Sequence, residues 1–296
     1  MIWLIGNKGM LGTELSETFT AHGLSFVGTD REVDITNQEA LDAFAGEHQA
    51  DCIVNCAAYT AVDKAEDDQA LCRALNTQGA ANIARSAHKK GARLIHISTD
   101  YVFNGNGDTP YREDDSTDPT GIYGLTKRDG EIAVLTENPE SWIIRTAWLY
   151  GKHGNNFVHT MLRLMAEKEE LKIVNDQRGS PTWARDLAEV LVAIISRFRS
   201  ASAIPYGIYH YTNEGNITWY DFAREIRTQA TLTGELPDQT KPRLLPCTSA
   251  EFPAKVRRPP YSVLDKTKIR RALNCEIPDW KQSLAAFMAE RAERVQ

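Results

Sequence analysis

The chain has 296 residues, 42% hydrophobic and 25% charged, with a formal net charge of -6; this is the balance of an ordinary soluble globular protein with room for about two domains, and it excludes disorder and a collagen-like repeat. The acidic surplus argues against a nucleic-acid partner. Five scattered cysteines (Cys52, Cys56, Cys72, Cys247, Cys275) without a CxxC pair argue against a zinc site or a disulfide framework.

In chain order, the apolar run 2–5 predicts a strand, followed by the loop Gly6-Asn7-Lys8-Gly9-Met10-Leu11-Gly12 and a helix through Leu15 and Phe19. A strand over 24–28 ends at Thr29-Asp30-Arg31 and closes a βαβ unit of the size that binds dinucleotides. Thr36 and Glu39 read as a capping box opening a helix through Leu41 and Phe44. Next come a buried strand over 52–55, a crossover helix over 70–90 and a fourth strand over 94–98, whose carboxyl end delivers Ser98, Thr99 and Asp100. A Gly-, Asp- and Pro-rich loop over 104–119 leads to a helix from Gly121, and 142–145 predicts a fifth strand. Strand and helix alternate throughout, which predicts an α/β fold of the Rossmann type, a doubly wound parallel sheet.

Beyond Gly151 the pattern loosens. A helix through Phe157, Leu162 and Met165, a strand over 171–174, a helix over 184–198 and a strand over 209–211 continue the fold. The stretch 234–260, with Lys241, Arg243, Lys255, Arg257 and Arg258, reads as an irregular basic cap, and helices over 267–273 and 280–294 end the chain. The expected division is a dinucleotide-binding part over 1–150 and a smaller substrate-binding part over 151–296, interleaved with the end of the sheet. No apolar run approaches the ~18 residues of a membrane span, and the first run is too short for a signal sequence, so a cytoplasmic location is expected.

Two groups of residues carry chemistry. Gly6, Gly9 and Gly12 follow a strand and open a helix, the arrangement that lets a backbone approach a pyrophosphate. Asp30 suits a ribose hydroxyl and Arg31 a 2′-phosphate, so NADH and NADPH both stay open; Asp34 and Ile35 flank the adenine or form a solvated turn. The second group is Tyr123 and Lys127, four apart on one helix face, where an ammonium is expected to lower the phenol pKa, with Thr99 offering a hydroxyl to the same substrate oxygen. Lys64 and Glu66 read as surface charges. Tyr101 stands where a dehydratase would carry a glutamate, which disfavours removal of water. Arg257 and Arg258 suit a nucleotide diphosphate, or form a solvated basic loop.

The glycine loop with Ser98-Thr99, Tyr123 and Lys127 resembles the extended short-chain dehydrogenase/reductase family. The segments 98–103, 145–151, 176–182 and 258–262 narrow the resemblance, over nearly the whole chain, to the dTDP-4-dehydrorhamnose reductases. That resemblance implies NAD(P)H-dependent reduction of the 4-keto group of a dTDP-sugar in rhamnose biosynthesis. Tyr123 would be the proton donor, Lys127 the nicotinamide-ribose ligand and Thr99 the holder of the carbonyl oxygen. Asp100 and Trp148 would lie on the substrate side, and Gly9, Met10, Leu11, Asp30, Asp34, Ile35, Ala58, Tyr59 and Thr60 along the cofactor. Some relatives use magnesium at a subunit contact, for which Glu14 is the single acidic candidate. A monomer and a homodimer both stay open. The rival readings are a sugar-nucleotide epimerase or epimerase-reductase, and a regulatory subunit without turnover.

Overall fold

The computed structural model describes residues 1–200, 202–236, 242–252 and 254–293; Lys241 and Arg294 lie outside the described residues. Six strands, Ile2–Ile5, Phe26–Thr29, Cys52–Asn55, Arg93–Thr99, Ser141–Thr146 and Gly207–His210, form a wholly parallel sheet in the order sixth, fifth, fourth, third, first, second. Side chains alternate between the two faces of the sheet and both faces are packed, which is why the strand Ile2–Ile5 reads as an unbroken apolar run. Ile2 and Leu4 point into a core with Leu15, Phe19 and the helix Ala184–Arg199, whereas Trp3 and Ile5 join Leu41, Ile83 and Val134 in a second core. Both faces of the sheet are thereby covered by helices.

The chain winds in opposite directions from the first strand, so the crevice between the carboxyl ends of the first and third strands is the topological switch point. Gly6 sits there with φ of 78°, a left-handed conformation, and a Cβ on it would lie 2.7 Å from the Ala57 nitrogen. Only glycine lets the two loops come this close.

Several expected elements take a different form. The second helix (Gln38–His48) is capped by Asn37, whose side chain accepts from the Glu39 and Ala40 nitrogens; Thr36 instead donates to Asp34. The crossover helix contains a π segment, Ala74–Gly79, between Gln69–Arg73 and Ala80–Lys90. Its Asn76 side chain accepts from the Tyr59 nitrogen (2.8 Å) and donates to the Tyr59 carbonyl (3.1 Å), so the bulge shapes the loop after the third strand. Glu170–Val174 leaves the main sheet and pairs in parallel with Arg243–Cys247, so the basic stretch is not wholly irregular. The helix Trp219–Leu232, unforeseen in the sequence reading, opens with a capping box of Thr218 and Asp221. It builds a third core around Tyr150, Phe222, Trp280 and Phe287.

Candidate active site

Strand four ends in Ser98 and Thr99, Asp100 opens the 3-10 turn that follows, and the helix Ile122–Glu137 lies across the strand with Tyr123 and Lys127 on the near face. No local side chain caps that helix. Its Ile122 N–H is instead taken by Glu66 Oε1 at 2.8 Å, from 56 residues earlier, so Glu66 is a cap and not a plain surface charge. Gly124 sets the depth of the helix: a Cβ there would meet the Tyr101 carbonyl oxygen at 2.2 Å. Gly124→Ala should therefore push the helix outward, lowering kcat/KM about a hundredfold, as a 1 Å misplacement does, with a measurable fall in Tm; thermal melts and initial rates check it.

Thr99 Oγ1 donates to Asp100 Oδ1 (3.0 Å), accepts from the Tyr101 nitrogen (3.2 Å) and faces the Tyr123 hydroxyl. The ring of Tyr123 packs edge-on against Tyr101, with centroids 5.5 Å apart. Lys127, 2% exposed, donates to the Ile97 carbonyl at 2.6 Å and stands 3.4 Å from His96 Nε2. The sequence reading had this ammonium lowering the phenol pKa; here burial dominates and raises it, and the group that opposes burial most is the Thr99 hydroxyl. The amine is engaged by strand four. Burial also lowers Lys127 itself to about 8. A phenol kept protonated at neutral pH is a proton reservoir, whose acid strength is called on only when negative charge develops opposite it.

Asp100 is 2% exposed and its Oδ2 is buried without a hydrogen-bond partner among the described residues. Burial raises its pKa from 3.8 to about 6, against the opposing pull of Ser262 and Thr99. The folded chain therefore holds this proton more tightly than the unfolded one: the stability this contributes is complete below about pH 4 and is lost as pH rises through about 6. Asp100→Asn should stabilise the protein by roughly 2–3 kcal/mol at pH 8 while weakening substrate binding. Denaturant unfolding at pH 8 and pH 4 checks it, the gain shrinking at the lower pH.

These groups line a cavity of about 460 Å³ with Gly9, Met10, Leu11, Gly12, Ala58, Thr60 and Trp148. A second, of about 540 Å³, is bounded by Gly6, Asp30, Arg31, Asp34 and Ile35 and shares Gly9, Cys56 and Ala58 with the first. Together they form one elongated cleft over the switch point, of the size ligand sites have. Trp148, at φ 48°, is a non-glycine residue in left-handed conformation, and its indole stacks on Trp219 with centroids 3.5 Å apart.

Other expected residues lie elsewhere. Tyr59 lines neither cavity: the hold of Asn76 on its backbone turns the side chain toward Asp68, to which its hydroxyl donates at 2.8 Å. Arg257 is exposed, and Arg258 pairs with Asp63 at 2.5 Å and lies over the Tyr101 ring. Glu14 does not fit a metal ligand. It is 1% exposed and its carboxylate accepts from Arg185 Nε at 2.7 Å with Lys152 Nζ 3.7 Å away, so paired cations occupy its lone pairs. No cluster of three or more His, Cys, Asp or Glu side chains suited to a metal occurs among the described residues.

Beneath the helix lies a row of buried polar groups that the sequence alone does not connect. Asn55, His96, Ser98, Arg145 and His210 sit on neighbouring strands, with Asn55 in register with His96, Ser98 with Arg145, and Arg145 with His210. Arg145 forms a bidentate pair with Glu131 at 2.7 and 2.9 Å, and Ser98 donates to the same carboxylate. The signal was present in the strand Arg93–Thr99 as two polar residues, His96 and Ser98, alternating with Ile95 and Ile97.

The RmlD substrate binding domain model matches residues 1–293. The chain belongs to this family. It is 42% identical to a dTDP-4-dehydrorhamnose reductase of Streptomyces griseus, over 95% of this chain and 91% of the relative. Among solved structures, the family member from Clostridium acetobutylicum superposes with a TM-score of 0.90 at 38% identity, covering 98% of this chain and 99% of the other. The Bacillus anthracis dTDP-4-dehydrorhamnose reductase, solved in complex with NADP, superposes with a TM-score of 0.88 at 37% identity, covering 98% of each chain. Family membership agrees with the cleft: glycine turn, helix N-terminus and buried lysine fit a dinucleotide.

Proposed function

We propose that this chain reduces the 4-keto group of dTDP-4-dehydro-L-rhamnose to dTDP-L-rhamnose, with NADPH or NADH, in the synthesis of cell-surface polysaccharide. The observation that carries the reading is a protonated phenol, Tyr123, facing the Thr99 hydroxyl in a cavity that runs into the glycine-loop crevice. Asp30, Arg31, Asp34 and Ile35 hold the adenosine end of the cofactor, and Gly6 to Gly12 with the N-terminus of the helix Met10–Ala21 hold its pyrophosphate. Bound there, NAD(P)H supplies the hydride.

The residues of the chain do the rest. Thr99 and Tyr123 donate to the keto oxygen, and Tyr123 gives it a proton as negative charge forms. Lys127 holds the nicotinamide ribose. Asp100 Oδ2, without a hydrogen-bond partner among the described residues, accepts from a sugar hydroxyl, and Trp148 packs on the sugar side. Arg258, with Arg257 beside it, exchanges Asp63 for the diphosphate of the substrate. Residues 1–150 serve mainly the cofactor and 151–296 mainly the substrate. Every group named lies on one chain, so a monomer or a homodimer serves equally. For the reaction we propose a cytoplasmic location; no helix of the described residues is long and apolar enough to cross a membrane.

Purified protein given dTDP-4-dehydro-L-rhamnose and NADPH should lose nicotinamide absorbance one-for-one with product. Isomer formation without net cofactor use would mark an epimerase. A stoichiometric bound partner with no turnover would mark a regulatory subunit.

A further inference from the structure

The hydrogen bonds around His96 fix which of its ring nitrogens carries the proton. The Ala57 backbone N–H can only donate, and it lies 3.0 Å from the Asn55 side chain, so the Asn55 atom there is the oxygen, Oδ1. The amide nitrogen, Nδ2, is then the atom that faces His96 Nδ1 at 3.0 Å, and since it too only donates, Nδ1 is an unprotonated acceptor. Burial holds the ring neutral, with its charged form favoured only far below pH 6.5. A neutral ring must carry its hydrogen on the other nitrogen. That atom, Nε2, stands 3.4 Å from Lys127 Nζ, and Asn55, His96 and Lys127 are at most 2% exposed. An ammonium there meets donor with donor, whereas a neutral amine offers its lone pair to the ring N–H.

We propose that Asn55 and His96 are positioning residues for Lys127: Asn55, fixed by the Ala57 N–H, locks the His96 ring with its Nε2–H against the lysine and so weakens the hold of Lys127 on its proton. The proposal deepens the reading of Lys127 as part of the reductase site and rests on it. Also acting on Lys127 are the Ile97 carbonyl, which accepts from it at 2.6 Å, Glu131 on its own helix, Cys56 after the third strand and Cys72 on the helix Gln69–Arg73, each of which favours the charged amine. Burial and the ring oppose them. The lock also links the lysine to the cofactor crevice, because Ala57 packs against Gly6 there.

Two measurements on the whole protein test this. Long-range proton–nitrogen correlation spectra of the histidine rings, with the His96 ring assigned through its connection to the backbone resonances, should show a protonated Nε2 and a bare Nδ1; a protonated Nδ1 overturns the proposal. The second follows the Lys127 side-chain carbon beside the amine with pH, in lysine-labelled protein without substrate. Wild type should titrate near 8, and His96→Gln, whose amide oxygen can accept from the ammonium, at least one pH unit higher, a tenfold stronger hold on the proton. Equal midpoints overturn the proposal. Should His96→Gln fail to fold, Asn55 serves: Asn55→Ala removes the lock and should release the second tautomer in the ring spectra, and an unchanged tautomer overturns it. Neither readout needs turnover, so failure of the lock is distinguishable from failure of the reductase reading, which would show as wild-type protein inactive on dTDP-4-dehydro-L-rhamnose.

Discussion

Tyr123→Phe should lower kcat/KM about a thousandfold, the middle of the range for loss of a positioned proton donor, and leave the fold intact. The ring of Tyr123 contributes its packing through the edge contact with Tyr101, which phenylalanine keeps. Only the hydroxyl facing Thr99 is removed. Because the proton is delivered as charge forms on the keto oxygen, kcat and kcat/KM should fall together while cofactor affinity stays within about twofold. Steady-state rates with a thermal melt measure both, and a loss below tenfold would mean the proton comes from elsewhere.

Glu131→Gln should destabilise the protein by about 3–5 kcal/mol, the usual result of leaving one member of a buried ion pair alone. Glu131 and Arg145 are each 3% exposed, and with the carboxylate's charge gone the guanidinium keeps, among the described residues, the glutamine amide oxygen, His210 at 3.4 Å and the face of Phe103 at 5.0 Å, none of them anionic. Loss on this scale corresponds to a Tm roughly 10 °C lower in a protein of this size. The pair also bears on chemistry, since Glu131 favours the charged form of Lys127. Its removal should shift the titration of Lys127 downward in the same variant. Replacing both partners, as Glu131→Met with Arg145→Met, should recover much of the stability, which separates the cost of an orphaned charge from the cost of lost volume.

How much of this was legible in the sequence depends on range. The glycine loop, the strands and the Tyr123–Lys127 spacing are local patterns, and local patterns survive into the structure as the switch-point crevice and a shared helix face. What escaped is non-local. Glu66 caps a helix that begins 56 residues later, and the Asn55–His96 pair exists only because two strands are in register. The direction of the Tyr123 pKa was misjudged for the same reason: spacing places an ammonium on the same helix face, but strand four decides where that ammonium bonds and how much water is excluded. The helix Trp219–Leu232 carries its signal in the capping box of Thr218 and Asp221 and in the buried positions Phe222, Ala223, Ile226 and Ala230, which recur at helical spacing. The Arg258 pairing with Asp63 likewise joins positions 195 residues apart.

The account turns on hydride reaching carbon 4 of a keto sugar. The direct measurement supplies the purified protein with dTDP-4-dehydro-L-rhamnose and NADPH carrying deuterium at the transferable position of the nicotinamide. The predicted product is dTDP-L-rhamnose with one deuterium at carbon 4 and one oxidised cofactor per sugar. Sugar returned as an isomer without deuterium, or unreacted beside intact NADPH, would contradict it.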